Sequence, residues 1–222
     1  MMITKSPIHS TITLLLILLN LPTYMKDKEQ IIKNVAILLQ EVPSSMEVVK
    51  DDAKKEQRFY LLAKHMIDKA IRHDALLVTD DLNGISILFD SEEMKEPFFK
   101  ELQDDLNLAL NVTGLKKGIT ALKHQIYIKK QRPSEERHLY CWFWGIMPEA
   151  RGSDNDKTPY VMKNWMFTIA KKKQLPIYAE TRLRRVNIVY RRYGFEVMNE
   201  WEHPSGDTMY FLRYEPEKNK TI

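Results

Sequence analysis

The chain has 222 residues, enough for one domain with a sizeable core, and its 44% hydrophobic and 29% charged residues exclude a disordered or membrane-embedded bulk. A single cysteine, Cys141, excludes an intrachain disulfide framework and a cysteine-rich zinc site. The formal net charge of +4 is too small to indicate a nucleic-acid partner, but it is uneven: residues 171–192 carry a net +7, which leaves −3 for the rest.

The apolar run from Ile12 to Leu21, preceded by Lys5 and His9, is far shorter than the roughly 20 residues that span a bilayer. It has the length of a signal-peptide core, yet Asn20, Pro22 and Tyr24 stand where a small-residue cleavage site belongs. Residues 1–24 therefore read as a hydrophobic leader or an upstream start, outside the fold. From Met25 the pattern turns helical. Ile31, Ile32, Val35, Ile37, Leu38 and Leu39 form a broad apolar face that Pro43 is expected to end. A second helix is expected from Phe59, Leu62, Ala63, Met66, Ile67, Ala70 and Ile71, whose spacing is that of a helix packed on one side. His65 flanks that stripe and reads as a core-edge histidine. Ala75–Val78 and Ile85–Phe89 are short apolar runs separated by Asp80, Asp81, Asn83 and Gly84, so they read as a hairpin whose acids form the turn rather than bind a metal.

Residues 90–137 read as a helical insertion. Met94, Phe98, Leu102, Leu106 and Ala109 have helical spacing, Gly114 and Gly118 are expected to interrupt it, and Lys123, Lys129, Lys130 and Arg132 make a basic connection closed by Pro133. Such an insertion either covers a substrate pocket or widens the core, the second reading being preferred. Leu139 to Met147 is almost wholly apolar, the mark of a central strand covered on both faces. Pro148-Glu149-Ala150-Arg151-Gly152 follows as a turn. Thr158 is expected to cap a helix with Pro159 at its first position and a buried face of Val161, Met162, Trp165, Met166, Ile169 and Ala170. Leu175 to Thr181 reads as a strand. Val186, Val189, Tyr190 and Tyr193 lie on one face of a short helix that Gly194 stops, and Phe195 and Val197 resume a strand. A closing hairpin turns at 203–207, and residues 217–222 read as a disordered tail.

Two of these stretches resemble the GNAT acetyltransferases. The central strand running into Pro-x-x-Arg-Gly resembles the family's approach to its pyrophosphate loop. Ala179-Glu180-Thr181 followed by Tyr190-Arg191-Arg192-Tyr193-Gly194-Phe195 resembles its Tyr-x-x-x-Gly-Phe helix. The resemblance covers Leu139 to Tyr214 by motif and Met25 to Phe89 by element order. It implies one domain over 25–216, an α/β fold with a mixed, mostly antiparallel sheet splayed at its central strands and flanked by helices. It implies acetyl-CoA as co-substrate, with the pantetheine arm on the backbone near Ile146 and Met147, and an oxyanion donor at the end of the central strand. Phosphate would meet Arg151 and the N–H groups of Gly152, Ser153 and Lys157, at a helix opened by Thr158. Tyr190 is the candidate acid for the departing thiolate, with the nearby arginines expected to ease its ionisation. Glu149 and Glu180 are the candidate bases.

The chain departs from the family pattern in three places. Asp154 and Asp156 stand where small residues belong in the phosphate loop, and Leu183 replaces a common asparagine. Either the loop bulges and turns its acids outward, or cofactor affinity is weakened. Three readings follow in order: an N-acetyltransferase for a small-molecule or protein amine, a degenerate GNAT-like domain that binds acyl-CoA or a protein partner without catalysis, and a nucleic-acid binder. The expected location is the cytoplasm, with no nucleic-acid partner, no membrane attachment of the domain and no bound metal. A homodimer is left open.

Overall fold

In the computed structural model the described residues are 27–94, 109–133, 135–152 and 157–216. The expectations for the leader, the tail, Ser153, Asp154, Asp156 and most of the first insertion helix fall on residues outside these ranges. The chain opens with helix α1 (Lys28–Leu39), the short α2 (Pro43–Val48) and α3 (Lys55–Arg72). Pro43 therefore starts a helix instead of ending one, since proline fits a first turn where its missing N–H has no partner to lose. Helices α1 and α3 pack on each other and bury Ile31, Val35, Phe59, Ala63 and Ile67 completely.

The expected hairpin is β1 (Leu76–Val78) and β2 (Gly84–Asp90), paired antiparallel. Its turn is built as its composition suggests: Asp81 accepts hydrogen bonds from the Thr79 hydroxyl and the Asn83 N–H, and Gly84 N–H donates to Thr79 Oγ1 at 2.8 Å. A π-helical turn at Ala109–Thr113 leads into α4 (Leu115–Lys130). Gly114 precedes that helix at φ +74°, but Gly118 lies inside it, and the basic stretch expected to be a connection forms its last turns. A helical glycine costs only about 1 kcal/mol against alanine, and packing outweighs it. Ile128 of α4 packs on Met209 and Phe211 with Tyr127 and Trp201 alongside, so this helix covers the far part of the sheet and widens the core.

The rest of the chain follows its pattern. β3 (Leu139–Ile146) runs into a 3₁₀ turn at Pro148–Ala150, then α5 (Thr158–Lys173), β4 (Ile177–Thr181), α6 (Arg184–Arg192), β5 (Glu196–Glu202) and β6 (Thr208–Tyr214). The six strands form one sheet in the order β1-β2-β3-β4-β6-β5, antiparallel throughout except for β3 beside β4. One face carries the α1–α3 core and α4; the other carries Leu139, Cys141, Ile177 and Ala179 under α5 and α6. Among the described residues no helix is long and apolar enough to cross a membrane.

Candidate active site

The parallel pair β3–β4 is joined over three residues only, Leu139–Cys141 against Ile177–Ala179. Beyond that point β3 continues to Ile146 and β4 to Thr181 without pairing to each other, so the sheet splays at its centre. The β4-side backbone edge of residues 142–146 is left without a strand partner. A cavity of about 480 Å³ fills the opening. Its floor is the end of β3, Phe143 to Ile146; Leu38, Glu41 and Val42 close one side from the end of α1, and α6 closes the other.

Local sequence explains how each wall is placed. Gly145 brings α1 close, because a Cβ there would sit 2.7 Å from Leu38 Cδ1 and from the Phe143 ring. Helix α6 ends in a left-handed Gly194 at φ +91°, with Phe195 N–H returning to Tyr190 O at 3.1 Å. The stop holds Val186, Val189, Tyr190 and Tyr193 toward the cavity, all four of which line it. The amphipathic face read from the sequence thus forms the wall of an opening, on which Tyr190 is buried while Val189 is 42% exposed.

At the mouth, Glu41 Oε2 accepts from Arg151 Nη1 at 2.7 Å and from Arg185 Nη2 at 3.2 Å. The Arg151 hydrogen bond holds the Glu41 carboxyl below the usual range against the opposing effect of burial. Arg151 also donates from Nε to the carbonyl of Ile146 at 2.7 Å. Deeper in, Tyr190 is 5% exposed, its ring meets Phe195 edge-on at 4.8 Å and Trp144 at 5.6 Å, and its hydroxyl lies 3.6 Å from Cys141 Sγ. Burial pushes the Tyr190 phenol well above its ordinary pKa and the Cys141 thiol up to about 12. The expected easing of Tyr190 ionisation is therefore corrected: Arg184, Arg185, Arg191 and Arg192 are exposed, and burial dominates. The buried indole N–H of Trp144 has no partner among the described residues.

No family model and no curated protein matches the sequence. Solved structures do match the fold. A structure titled histone acetyltransferase HPA2 and related acetyltransferase, from Corynebacterium glutamicum ATCC 13032, aligns over 91% of this chain and 97% of its own, with TM-score 0.60 at 14% identity. Arylalkylamine N-acetyltransferase 2 from Aedes aegypti aligns over 86% and 94%, with TM-score 0.55 at 11% identity. The fold is that of the GNAT acetyltransferases. A third structure with this fold, the C-terminal condensation domain of Ebony in complex with β-alanyl-dopamine, aligns over 88% and 97% with TM-score 0.60 at 11% identity.

Within this GNAT fold the sequence-derived site residues separate. Ile146, Arg151 and Tyr190 line the cavity. Met147 is buried beside it, with its N–H donated to Asn83 O at 2.8 Å and so committed to the β2 side. Gly152, at φ +81°, is exposed with no described atom within 4 Å of where its Cβ would be, and Lys157 is exposed. Thr158 is the first residue of α5 rather than its cap; Lys157 takes the cap position, without a side-chain bond, and Thr158 is buried. Glu149 is exposed on the 3₁₀ turn and does not reach the cavity. Glu180 is the first β4 residue beyond the paired stretch, at the vertex of the splay. It projects to the face opposite Ala179 and Cys141, where Oε1 accepts from the Tyr140 hydroxyl at 2.5 Å, and burial raises its pKa. Glu41 and Trp144 belong to the site without any sequence signal having marked them, because only tertiary packing brings α1 and the end of β3 together; Arg185 lay within the +7 stretch read from the sequence.

Proposed function

We propose that the protein transfers an acetyl group from acetyl-CoA to an amine within the splay of its sheet. The observation that carries this reading is the cavity between the diverging ends of β3 and β4, lined by the Tyr190 phenol, with Glu180 at the vertex of the splay beside it. The residues present fit a coenzyme A thioester. The partnerless indole N–H of Trp144 and the unpaired β3 edge from 142 to 146 offer donors to amide and acyl oxygens. Arg151 and Arg185 offer charge to phosphates at the mouth. The thioester supplies the activated acetyl group. Glu180, whose pKa burial raises, takes the proton of the attacking amine. Tyr190, held protonated by burial, gives a proton to the leaving sulfur. Glu149 is replaced by Glu180 in this role because of its exposed position.

The names of these neighbours support arylalkylamines and histone peptides as first acceptors to assay. Titration calorimetry with acetyl-CoA is expected to show one site, and coenzyme A release should then depend on the amine. Absence of binding at millimolar acetyl-CoA overturns the reading. Tyr190→Phe keeps the ring packed on Phe195 and removes only the hydroxyl. Turnover is expected to fall by roughly 10²-fold or more, with stability within about 1 kcal/mol of the parent; undiminished turnover removes Tyr190 from the mechanism. A second reading, a GNAT-fold domain that binds acyl-CoA or a protein partner without catalysis, is favoured by Glu41, which already occupies both mouth arginines. Cofactor binding without turnover on any amine would select it.

A further inference from the structure

On the sheet face covered by α4, away from Tyr190, side chains from three separate elements converge. Glu47 comes from α2, His124 from α4 and His203 from the turn just after β5. His203 Nε2 lies 3.2 Å from His124 Nδ1 and 3.7 Å from Glu47 Oε2, and the three ligand-capable atoms fall within 4.8 Å of one another. The supporting groups are equally ordered. His203 Nδ1 bonds Ser205 Oγ at 2.7 Å, and that hydroxyl donates to Asp207 Oδ1 at 2.7 Å. Arg182 binds the other Glu47 oxygen, Oε1, at 2.8 Å and both oxygens of Asp207. The His203 ring is wedged edge-on between His124 and Trp201, with centroids at 4.6 and 4.8 Å.

We propose that Glu47, His124 and His203 form a zinc site with a fourth position open. Two imidazoles and one carboxylate are ligands that zinc accepts, and the absence of thiolate excludes a closed cysteine-type site. Two nitrogens each bound at the usual zinc distance in a tetrahedral shell stand roughly 3.3 Å apart, and the histidine nitrogens stand 3.2 Å apart. The contact from Nδ1 of His203 through Ser205 to Asp207 is the outer-shell arrangement that fixes a ligating imidazole in place. Glu47 and Asp207 outweigh Arg182 by one negative charge, which suits a bound cation. An ion here ties α2, α4 and the β5–β6 turn together, and it adjoins the cavity through Arg182 and its neighbour Leu183. The inference stands apart from acetyl transfer.

The test uses the full untagged chain with Co²⁺ and with Zn²⁺ alone. One equivalent of Co²⁺ should give the visible bands of a tetrahedral site, displaced by Zn²⁺, and Zn²⁺ should raise the unfolding midpoint. His124 is half-buried on α4, so His124→Ala leaves the helix and the core in place. In that variant the bands should vanish and zinc affinity should fall at least as far as the ~10–100-fold caused by disturbing an outer-shell partner. A parent chain without bands and without a zinc-dependent midpoint overturns the proposal, as does a variant that binds zinc like the parent. Either result leaves the three residues as a hydrogen-bonded cluster.

Discussion

At the mouth of the cavity Glu41 competes with the ligand the site is built to hold. Its Oε2 draws in Arg151 from the turn after β3 and Arg185 from the start of α6. All three side chains are at least a third exposed, so each pair is worth less than about 1 kcal/mol. Its depressed pKa keeps it charged at neutral pH, where a phosphate would have to displace it. Glu41→Gln removes that competing charge and frees both guanidinium groups. Affinity for acetyl-CoA is expected to rise by roughly two- to fivefold at low salt, read by titration calorimetry. Unchanged or weaker binding would show that neither arginine meets the ligand's phosphates. The sequence pointed to Arg151 and Tyr190 through motif resemblance. It gave no pointer to Glu41, because a carboxylate two residues past a helix end has no spacing relation to an arginine 110 residues away.

At the level of elements, the start of α5 is set by one glycine on β2. A Cβ at Gly84 would lie 2.5 Å from Met162 Sδ, 2.7 Å from Thr158 Cγ2 and 2.9 Å from Thr79 Cγ2. Helix α5 therefore rests against the strand where it follows the expected phosphate-binding turn. Gly84→Ala should force these side chains apart and destabilise by about 1–3 kcal/mol, seen as a lower denaturant midpoint at unchanged slope. A loss near zero would show that α5 shifts freely on the sheet, and cofactor affinity should then be unaffected too. The hairpin, the apolar central strand and the helix ended by Gly194 were legible in the sequence, since each is written in local periodicity and a turn residue. The insertion of β6 between β4 and β5 was not, because strand order is decided by long-range pairing. Pro43 and Gly118 were misjudged for a related reason. A proline in a first turn looks like a terminator, and a glycine within a packed helix looks like a break, until their neighbours are known.

For the whole molecule, one buried carboxylate links the ends of three segments. Asp90 closes β2 with its side chain 2% exposed; Arg137, just before β3, donates to it at 3.1 and 2.9 Å, and Lys173, the last residue of α5, at 2.6 Å. Burial alone would raise its pKa, but the hydrogen bonds from Arg137 and Lys173 outweigh it and hold the carboxyl at about 2. The folded value lies below the unfolded one of roughly 3.9, so the folded state binds this proton less readily than the unfolded chain. The contribution is complete above the unfolded pKa and is lost as pH falls from about 4 through the folded value. Its size is about 2–3 kcal/mol, the free-energy equivalent of the gap between the folded and unfolded values. Asp90→Asn cannot ionise and lacks this dependence. Urea denaturation of both proteins across pH 6 to 2 should show a stability difference that is constant above about pH 5 and narrows progressively below pH 4. A difference that stays level down to the lowest pH at which both fold would show that Asp90 shares no proton linkage with folding, and that its two cations hold it by geometry alone.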